Sequence, residues 1–355
     1  MATVALSAIS AVMNLIYGAA MADQIRRDVL LPNLLPVKVG KNSTMTWPVK
    51  VSGRSAGGAF AEGADMSASD YDAHTRLQAS LAWAQYRTGA AVSGLSEALS
   101  RLNGSLALDP SLFSDEIRDA IDYLATLMSS HTYAGNVAAS PAQLAGLAAG
   151  IDSSGSYAGI DPATYTEWAS SENSLASASL SFSTLRSNLI RPVKDACGMY
   201  PKFVTCDGTT FDKIGDLFGD QRRYITEVMS VDGRQVDLKL AGGFRALEVD
   251  GIPYIEDRHA TANTLYAFGP DSVHYEQVPS VGPEQAGVVV AAMKQLTGVT
   301  LQEDEVAAML KAATARLQPT IEMMGKTGDN VKAMVKVYAQ LGVRHRNRCG
   351  KLLLT

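Results

Sequence analysis

The feature that most constrains the fold is residues 37–92, a long extended stretch with a loose middle. In its first part apolar and polar residues alternate with a period of two, as in a strand with one buried face. The alternation returns in residues 76–83, and residues 52–70 between them are rich in Gly, Ala and Ser. A hairpin this long is at best marginally stable alone. We therefore expect it to lie on another surface, with a second subunit as the candidate. Its apolar positions are Val37, Val39, Met45, Trp47, Val49, Val51, Leu77, Ala79, Leu81 and Trp83.

The charges along this stretch are segregated, because its outgoing half is basic and its tip and return are acidic. One interpretation is an ordinary solvated hairpin with cross-strand ion pairs. The other is a reaching arm whose charges set the register on a neighbouring subunit. The inter-subunit contact candidates are Lys38, Lys41, Lys50 and Arg54 in the basic half and Glu62, Asp65, Asp70 and Asp72 in the acidic half.

Residues 1–22 carry no charged side chain. No Lys or Arg precedes the apolar run, which disfavours a secretory signal peptide. Ser, Asn and Gly interrupt the run too often for a membrane span. Leu6, Ile9, Met13 and Ile16 fall at helical spacing, so we predict an amphipathic arm that packs on a neighbouring subunit.

The bulk composition excludes some classes of function. The chain has 355 residues and a net charge of −5, so it lacks the strongly basic character of many nucleic-acid-binding proteins. Its three cysteines form no CxxC pair, which favours a reducing compartment and packing roles.

Apolar periodicity places the main elements in an α+β chain. The last predicted strand, residues 331–343, is the clearest, and at ~3.3 Å per residue it needs an equally long neighbour, such as the hairpin or the first long helix. The first predicted helix is a long one after Asp109-Pro110, with its stripe from Phe113 to Met128. A second runs from Leu175 to Leu189 and is ended by Pro192, and a short third lies at 211–218. Two more lie at 284–296 and at 300–317, the latter opened by a capping box at Thr300 and Glu303. The other predictions are a surface loop or domain transition at 148–159, strands at 202–206, 265–268 and 272–278, and a hairpin turning at Asp250-Gly251.

We find no catalytic motif, since the five histidines are scattered and no HExxH, GxSxG or Walker loop occurs. The polar run from Glu256 to His259 is better explained as a turn with local ion pairs than as an acid/base site. The C-terminal basic cluster is open to nucleic-acid contact, to pairing with acidic groups of a neighbour and to plain solvation. That cluster comprises Arg344, His345, Arg346, Arg348 and Lys351.

These pieces, in this order, resemble the major capsid protein of tailed bacteriophages, the HK-ninety-seven-type shell fold. The phrases that carry the resemblance are WPVKVSGRSAGGAFAEGAD, GFRALEVDGIPYIEDR, NTLYAFGPDSV and VYAQLGVRHRNRCGKL. The resemblance implies an N-terminal arm (1–36), an extended β-hairpin loop with flanking strands (37–92), a peripheral domain with a long spine helix (93–131), an axial domain with a helical insertion (132–330) and a peripheral return strand (331–355).

The resemblance also implies a function. It implies self-assembly into hexamers and pentamers of an icosahedral head around double-stranded DNA, in the virion and assembled in the host cytoplasm. Scaffolding, portal or decoration proteins are further expected partners, contact with packaged DNA is non-specific, and no catalysis, cofactor, metal or membrane is implied. Two alternatives stay open: a cellular nanocompartment shell of the same fold, and a mixed α/β enzyme without a readable motif.

Overall fold

The computed structural model describes residues 29–52, 58–59, 62–63, 65, 75–94, 112–175, 180–218, 228–231, 234–237, 246–278, 317, 319–327 and 329–354. Three predictions lie outside this part of the chain: the arm helix, the helix start at Asp109-Pro110, and nearly all of the helices at 284–296 and 300–317.

The described helices are α1 (Leu31–Leu34), α2 (Leu112–Ala134), α3 (Leu147–Gly150), α4 (Phe182–Leu185), α5 (Arg191–Cys197) and α6 (Gly208–Leu217), with a π-helical segment at Arg186–Ile190 and 3₁₀ turns at Thr166–Trp168 and Arg346–Arg348. The described strands are β1 (Val37–Val39), β2 (Met45–Lys50), β3 (Arg76–Leu81), β4 (Ala84–Ser93), β5 (Ser171–Ser174), β6 (Phe203–Cys206), β7 (Val228–Val231), β8 (Arg234–Asp237), β9 (Ala246–Val249), β10 (Ile252–Glu256), β11 (Thr264–Phe268), β12 (Val273–Gln277), β13 (Thr320–Thr327), β14 (Asn330–Val343) and β15 (Cys349–Leu353).

Strand β14 is the centre of a five-stranded sheet, and its predicted length and alternation are confirmed. Strand β4 runs antiparallel beside it for ten residues, from the pair Asn330–Ser93 to the pair Ala339–Ala84. Strands β13 and β12 pair with successive parts of its other side, and β1 lies parallel to β12. The long neighbour required by β14 is therefore supplied by the end of the 37–92 stretch, as expected. The β14 side chains on the core face are buried: Ala333, Val335, Val337, Ala339, Leu341 and Val343.

The first arm of the hairpin is two strands rather than one, and the base of the hairpin packs on its own chain, which corrects two expectations. Its first arm is not one strand, because β1 belongs to the five-stranded sheet and only β2 pairs with β3. The apolar face of β2 and β3 joins the main core of the same chain, where Met45, Trp47 and Ala79 are at most 3% exposed. The physical reason is that a half-buried alternating face needs an apolar partner, and the subunit itself provides one for the base of the hairpin.

A second sheet has six strands in the order β5-β15-β11-β6-β10-β9. One hydrophobic cluster covers one of its faces through residues such as Phe203 and Phe268, and a second cluster covers the other through Val204 and Leu265. Burial on both faces explains why every residue of β6 and β11 is buried, as expected for an apolar run without alternation. Strand β15 lies between β5 and β11, so the C-terminus completes this sheet.

Several local predictions are confirmed. The strand at 203–206, helix α6 and the β9–β10 hairpin form where the sequence placed them. At the tip of that hairpin, Asp250 and Gly251 have φ of 55° and 77°, as a type I′ turn requires. Helix α2 has 23 residues and buries Leu124 and Met128 from its predicted stripe.

The predicted helix from Leu175 to Leu189 is wrong at both ends. Residue Leu175 lies beyond β5, where its N–H donates to the carbonyl of Leu353. The helix begins at Phe182, capped by the Ser181 side chain, and it continues past Pro192 to Cys197. Proline is tolerated there because it follows a π-helical turn, at the start of a new α-helical segment where its missing N–H costs little.

The segment 148–159, predicted as a surface loop or domain transition, is exposed only in part: Ser153, Ser154, Ser156 and Gly159 are exposed, while its apolar residues are anchored in the core. Its residues Ile151 and Tyr157 are at most 4% exposed, and Trp168 packs with them in the main core. The Tyr157 hydroxyl donates to the carbonyl of Leu341 and accepts from the N–H of Val343, which fixes the segment to β14.

Candidate subunit-contact surfaces

The structure describes five of the predicted contact residues, and the others lie outside the described part of the chain. Lys38, Lys41 and Lys50 of the basic half and Glu62 and Asp65 of the acidic half are described, and all five are exposed. Within the described part of the chain, Glu62 and Asp65 make neither a hydrogen bond nor an ion pair. The other candidates, Arg54, Asp70, Asp72, Leu6, Ile9, Met13 and Ile16, lie outside the described residues.

The two basic strand residues occupy different places. Residue Lys38 lies on β1, in register with Glu276 of β12. Lys50 is the last residue of β2 and lies directly opposite Arg76 of β3, and both residues are exposed. The structure therefore places Lys38 and Lys50 in different sheets.

The outer face of β4 and β14 carries a basic surface that sequence analysis missed. In the antiparallel register Arg87 is directly opposite Lys336, and Gln85 is opposite Tyr338. Lys336 forms an ion pair with Glu322 of β13 and lies 5.5 Å from the centroid of the Tyr338 ring. The sequence signal was the polar parity of β14, but only the register with β4 brings Arg87 to the same place. The cavity on this face has a volume of about 350 Å³ and is lined by Gln85, Tyr86, Arg87, Ala142, Met334, Lys336 and Tyr338.

A second, more apolar groove lies along helix α2. Its volume is about 220 Å³, which is below the ~300–1,000 Å³ typical of small-molecule sites. Val29 lies at its edge, directly after residues 1–28. The groove is lined by Val29, Pro32, Asn33, Ile121, Asp122, Leu124, Ala125, Met128, Leu317, Pro319 and Val337.

The C-terminal basic cluster is largely a structural feature of the subunit, which corrects its interpretation as a group facing solvent or a partner. The Arg346 side chain is fully buried and donates to three main-chain carbonyls, those of Gly150 (2.8 Å), Gly155 (3.1 Å) and Asp152 (2.8 Å). Its guanidinium lies 5.4 Å from the centroid of the Tyr157 ring and 5.7 Å from that of Trp168. The guanidinium thus holds the 150–157 segment in place, because its five N–H donors lie in one plane and can reach several carbonyl groups at once.

Other members of that cluster are also engaged within the chain. Lys351 is 8% exposed and forms an ion pair of 2.7 Å with Glu172 on the neighbouring strand β5. Arg348 donates to the carbonyl of Pro270 at 3.3 Å. Burial, with the positive charges of Arg348 and Arg344 nearby, lowers the pKa of His345 to about 4, so this imidazole is neutral at pH 7.

The polar run after β10 forms a buried junction rather than an acid/base pair. The Asp257 carboxylate is fully buried and accepts from the Tyr133 hydroxyl of α2 at 2.8 Å and from the N–H of His259 at 3.0 Å. Burial and the charge of Asp257 raise the pKa of Tyr133, so the phenol stays protonated and continues to donate. This contact joins helix α2 to the six-stranded sheet, whereas the prediction was a turn with local ion pairs.

No group of His, Cys, Asp and Glu side chains among the described residues is arranged to hold a metal ion. No helix in the same ranges is long and apolar enough to cross a membrane.

Comparisons with known proteins give a consistent result. No protein-family model and no curated protein matches the sequence. The capsid of cyanophage A-1(L) matches the structure with a TM-score of 0.68 at 20% identity, over 96% of this chain and 97% of the capsid chain. The holo-SrpI encapsulin complex of Synechococcus elongatus matches with a TM-score of 0.56 at 10% identity, over 97% and 94%. The capsid of a native GTA particle matches with a TM-score of 0.53 at 12% identity, over 99% and 100%.

Proposed function

We propose that this chain, which has the fold of the tailed-phage major capsid proteins, is the shell subunit of a phage head that assembles into hexamers and pentamers around double-stranded DNA. The observation that carries the proposal is the likeness to the cyanophage capsid, which extends over 96% of this chain and 97% of the other. A match of this extent leaves little of either chain outside the common fold. The five-part division into arm, extended loop, peripheral domain, axial domain and return strand belongs to the same proposal.

The exposed surfaces of the subunit support a role in assembly. The apolar groove along α2 and the exposed Ile321 and Met324 of β13 are apolar surfaces of the kind that interaction sites expose. In this proposal the subunit acts in the virion after assembly in the host cytoplasm. Its partners are copies of itself and, in addition, scaffolding, portal or decoration proteins, and it has no catalytic role.

The test is assembly of the purified full-length chain. We expect sedimentation and negative-stain microscopy to show closed shells or capsomer rings, because the exposed surfaces pair between copies. Particles purified from infected cells should protect double-stranded DNA from nuclease. A compact monomer that persists at high protein concentration would overturn the proposal.

A cellular nanocompartment is the second candidate, and the likeness to the encapsulin complex favours it. The two candidates differ in the content of the particle. Mass spectrometry that finds a stoichiometric cargo enzyme in native particles without protected DNA would select the nanocompartment.

A further inference from the structure

The cavity on the outer face of β4 and β14 is a recess whose walls are held by contacts within the subunit. Its volume of about 350 Å³ falls within the ~300–1,000 Å³ typical of small-molecule sites. Its rim is fixed to the sheet, because the N–H of Gln85 donates to the carbonyl of Ala142. One wall is fixed at Tyr86, whose hydroxyl accepts from the N–H of Leu144 at 3.0 Å and lies 2.8 Å from Nδ1 of His131. The recess is therefore formed before any ligand arrives.

Two cations line this recess at directly opposed positions. Arg87 of β4 is in register with Lys336 of β14, and like charges placed opposite each other oppose strand pairing. Lys336 forms an ion pair with Glu322, and its ammonium group retains further N–H donors. Within the described ranges Arg87 makes no ion pair, and Lys332 adds a positive charge on the same face of β14. Three cations against one carboxylate leave a surplus of two positive charges that an anion would balance.

This surplus favours a phosphomonoester over other anions. A phosphomonoester carries a charge of about −1.5 to −2 at pH 7, whereas a carboxylate or a phosphodiester carries a single charge. The guanidinium of an arginine binds phosphate through two parallel hydrogen bonds, and a lysine binds it as a point charge. Arg87 is exposed and is free to turn towards an incoming phosphate, while Lys336 already lies at the recess.

The remaining lining of the recess is largely aromatic and apolar. The ring of Tyr338 lies with its centroid 5.5 Å from the Lys336 ammonium, and Met334 lies on the same face of β14. An aromatic ring and a thioether both pack well against a planar ring. We propose that this recess binds a phosphomonoester joined to a planar ring, of the size of a nucleoside monophosphate. The phosphate lies between Arg87 and Lys336, and the ring packs on Tyr338 and Met334. The groove along α2, whose charged lining residue is Asp122, would repel the same anion.

The test is calorimetric titration of the full-length chain at a concentration at which sedimentation shows unassembled subunits. The probes are adenosine monophosphate, thymidine monophosphate, inorganic phosphate and adenosine. We expect saturable binding of a nucleoside monophosphate, binding of inorganic phosphate at least roughly tenfold weaker because it lacks the ring, and no binding of uncharged adenosine. Equal affinity for inorganic phosphate would overturn the assigned ring contact. If neither monophosphate binds saturably, or if adenosine binds as tightly, the site is overturned.

Two variants and a matched control locate the binding. Arg87→Gln should lower the affinity at least roughly tenfold, and it should leave the melting temperature unchanged or raised because it removes a like-charge pair. Ala142→Phe places a ring at an exposed position of the rim and should block the recess without changing its charges. Arg191→Gln, at an exposed arginine of α5, should bind as the wild type. Wild-type affinity in both Arg87→Gln and Ala142→Phe would overturn the proposal. Because the recess belongs to a single subunit, this result is independent of whether the chain forms shells.

Discussion

Replacing Arg346 by alanine should destabilise the subunit more than any other loss of a single charge in the C-terminal cluster. The substitution removes three hydrogen bonds between a buried guanidinium and the carbonyls of Gly150, Asp152 and Gly155. Hydrogen bonds to charged groups contribute ~1.5–3 kcal/mol each, but water can enter the vacated space and satisfy part of the carbonyls. We therefore expect a loss of about 3–5 kcal/mol in the free energy of unfolding.

The assay is thermal and denaturant unfolding of the unassembled subunit, because assembly would raise its apparent stability. An unfolding entropy of ~2.1 cal/mol/K per residue gives about 0.7 kcal/mol/K for 355 residues, so the melting temperature should fall by about 4–7 °C. Arg346→Lys keeps the charge without the fork and should lose an intermediate amount. Arg348→Ala, which removes a single 3.3 Å hydrogen bond to Pro270, should cost about 1 kcal/mol or less. A loss below about 1 kcal/mol for Arg346→Ala would refute the claim that this cation holds the 150–157 segment in place.

Three further outcomes are expected. The pKa of His345 in the folded chain is lowered to about 4, so the unfolded chain binds a proton at this residue first as the pH falls. The free energy of unfolding should therefore be highest above pH ~6.5 and should decline towards pH 4 by roughly 1–2 kcal/mol, after allowing for the half-exposed ring. Melting curves of His345→Gln should show a flatter decline. Gly135→Ala should lower the free energy of unfolding in denaturant by about 1–3 kcal/mol, because the added Cβ would overlap the carbonyl oxygens of His131 and Leu144. Gly58→Ala has open space around the added Cβ and should leave stability unchanged. Equal effects of the two substitutions would contradict the packing argument. Deleting residues 1–22 should impair shell formation seen by microscopy while leaving the unfolding curve of the subunit unchanged, and normal shells would show that the arm is dispensable.

The sequence by itself determined the elements whose periodicity is set by one buried face. Strand β14 and helix α2 were predicted because their apolar residues repeat at 2 and about 3.6 positions, and the Asp250-Gly251 turn because few residues adopt a positive φ. The order of these elements also supported the resemblance to a capsid subunit, and the structural matches bear out that fold.

Only the tertiary structure decided what each face contacts. Gln340 falls on the polar side of the β14 pattern, yet it is fully buried, because its amide donates to the carbonyl of Ala82 and accepts from the N–H of Ala145. Arg346 was predicted to be a surface cation, but it is buried because its guanidinium donates to main-chain carbonyls nearly 200 residues away in sequence. A period of two or 3.6 reports that one face is covered, but it carries no information about which distant groups satisfy a polar side chain. For the same reason the basic face at Arg87 and Lys336 depends on a strand register that no local pattern contains.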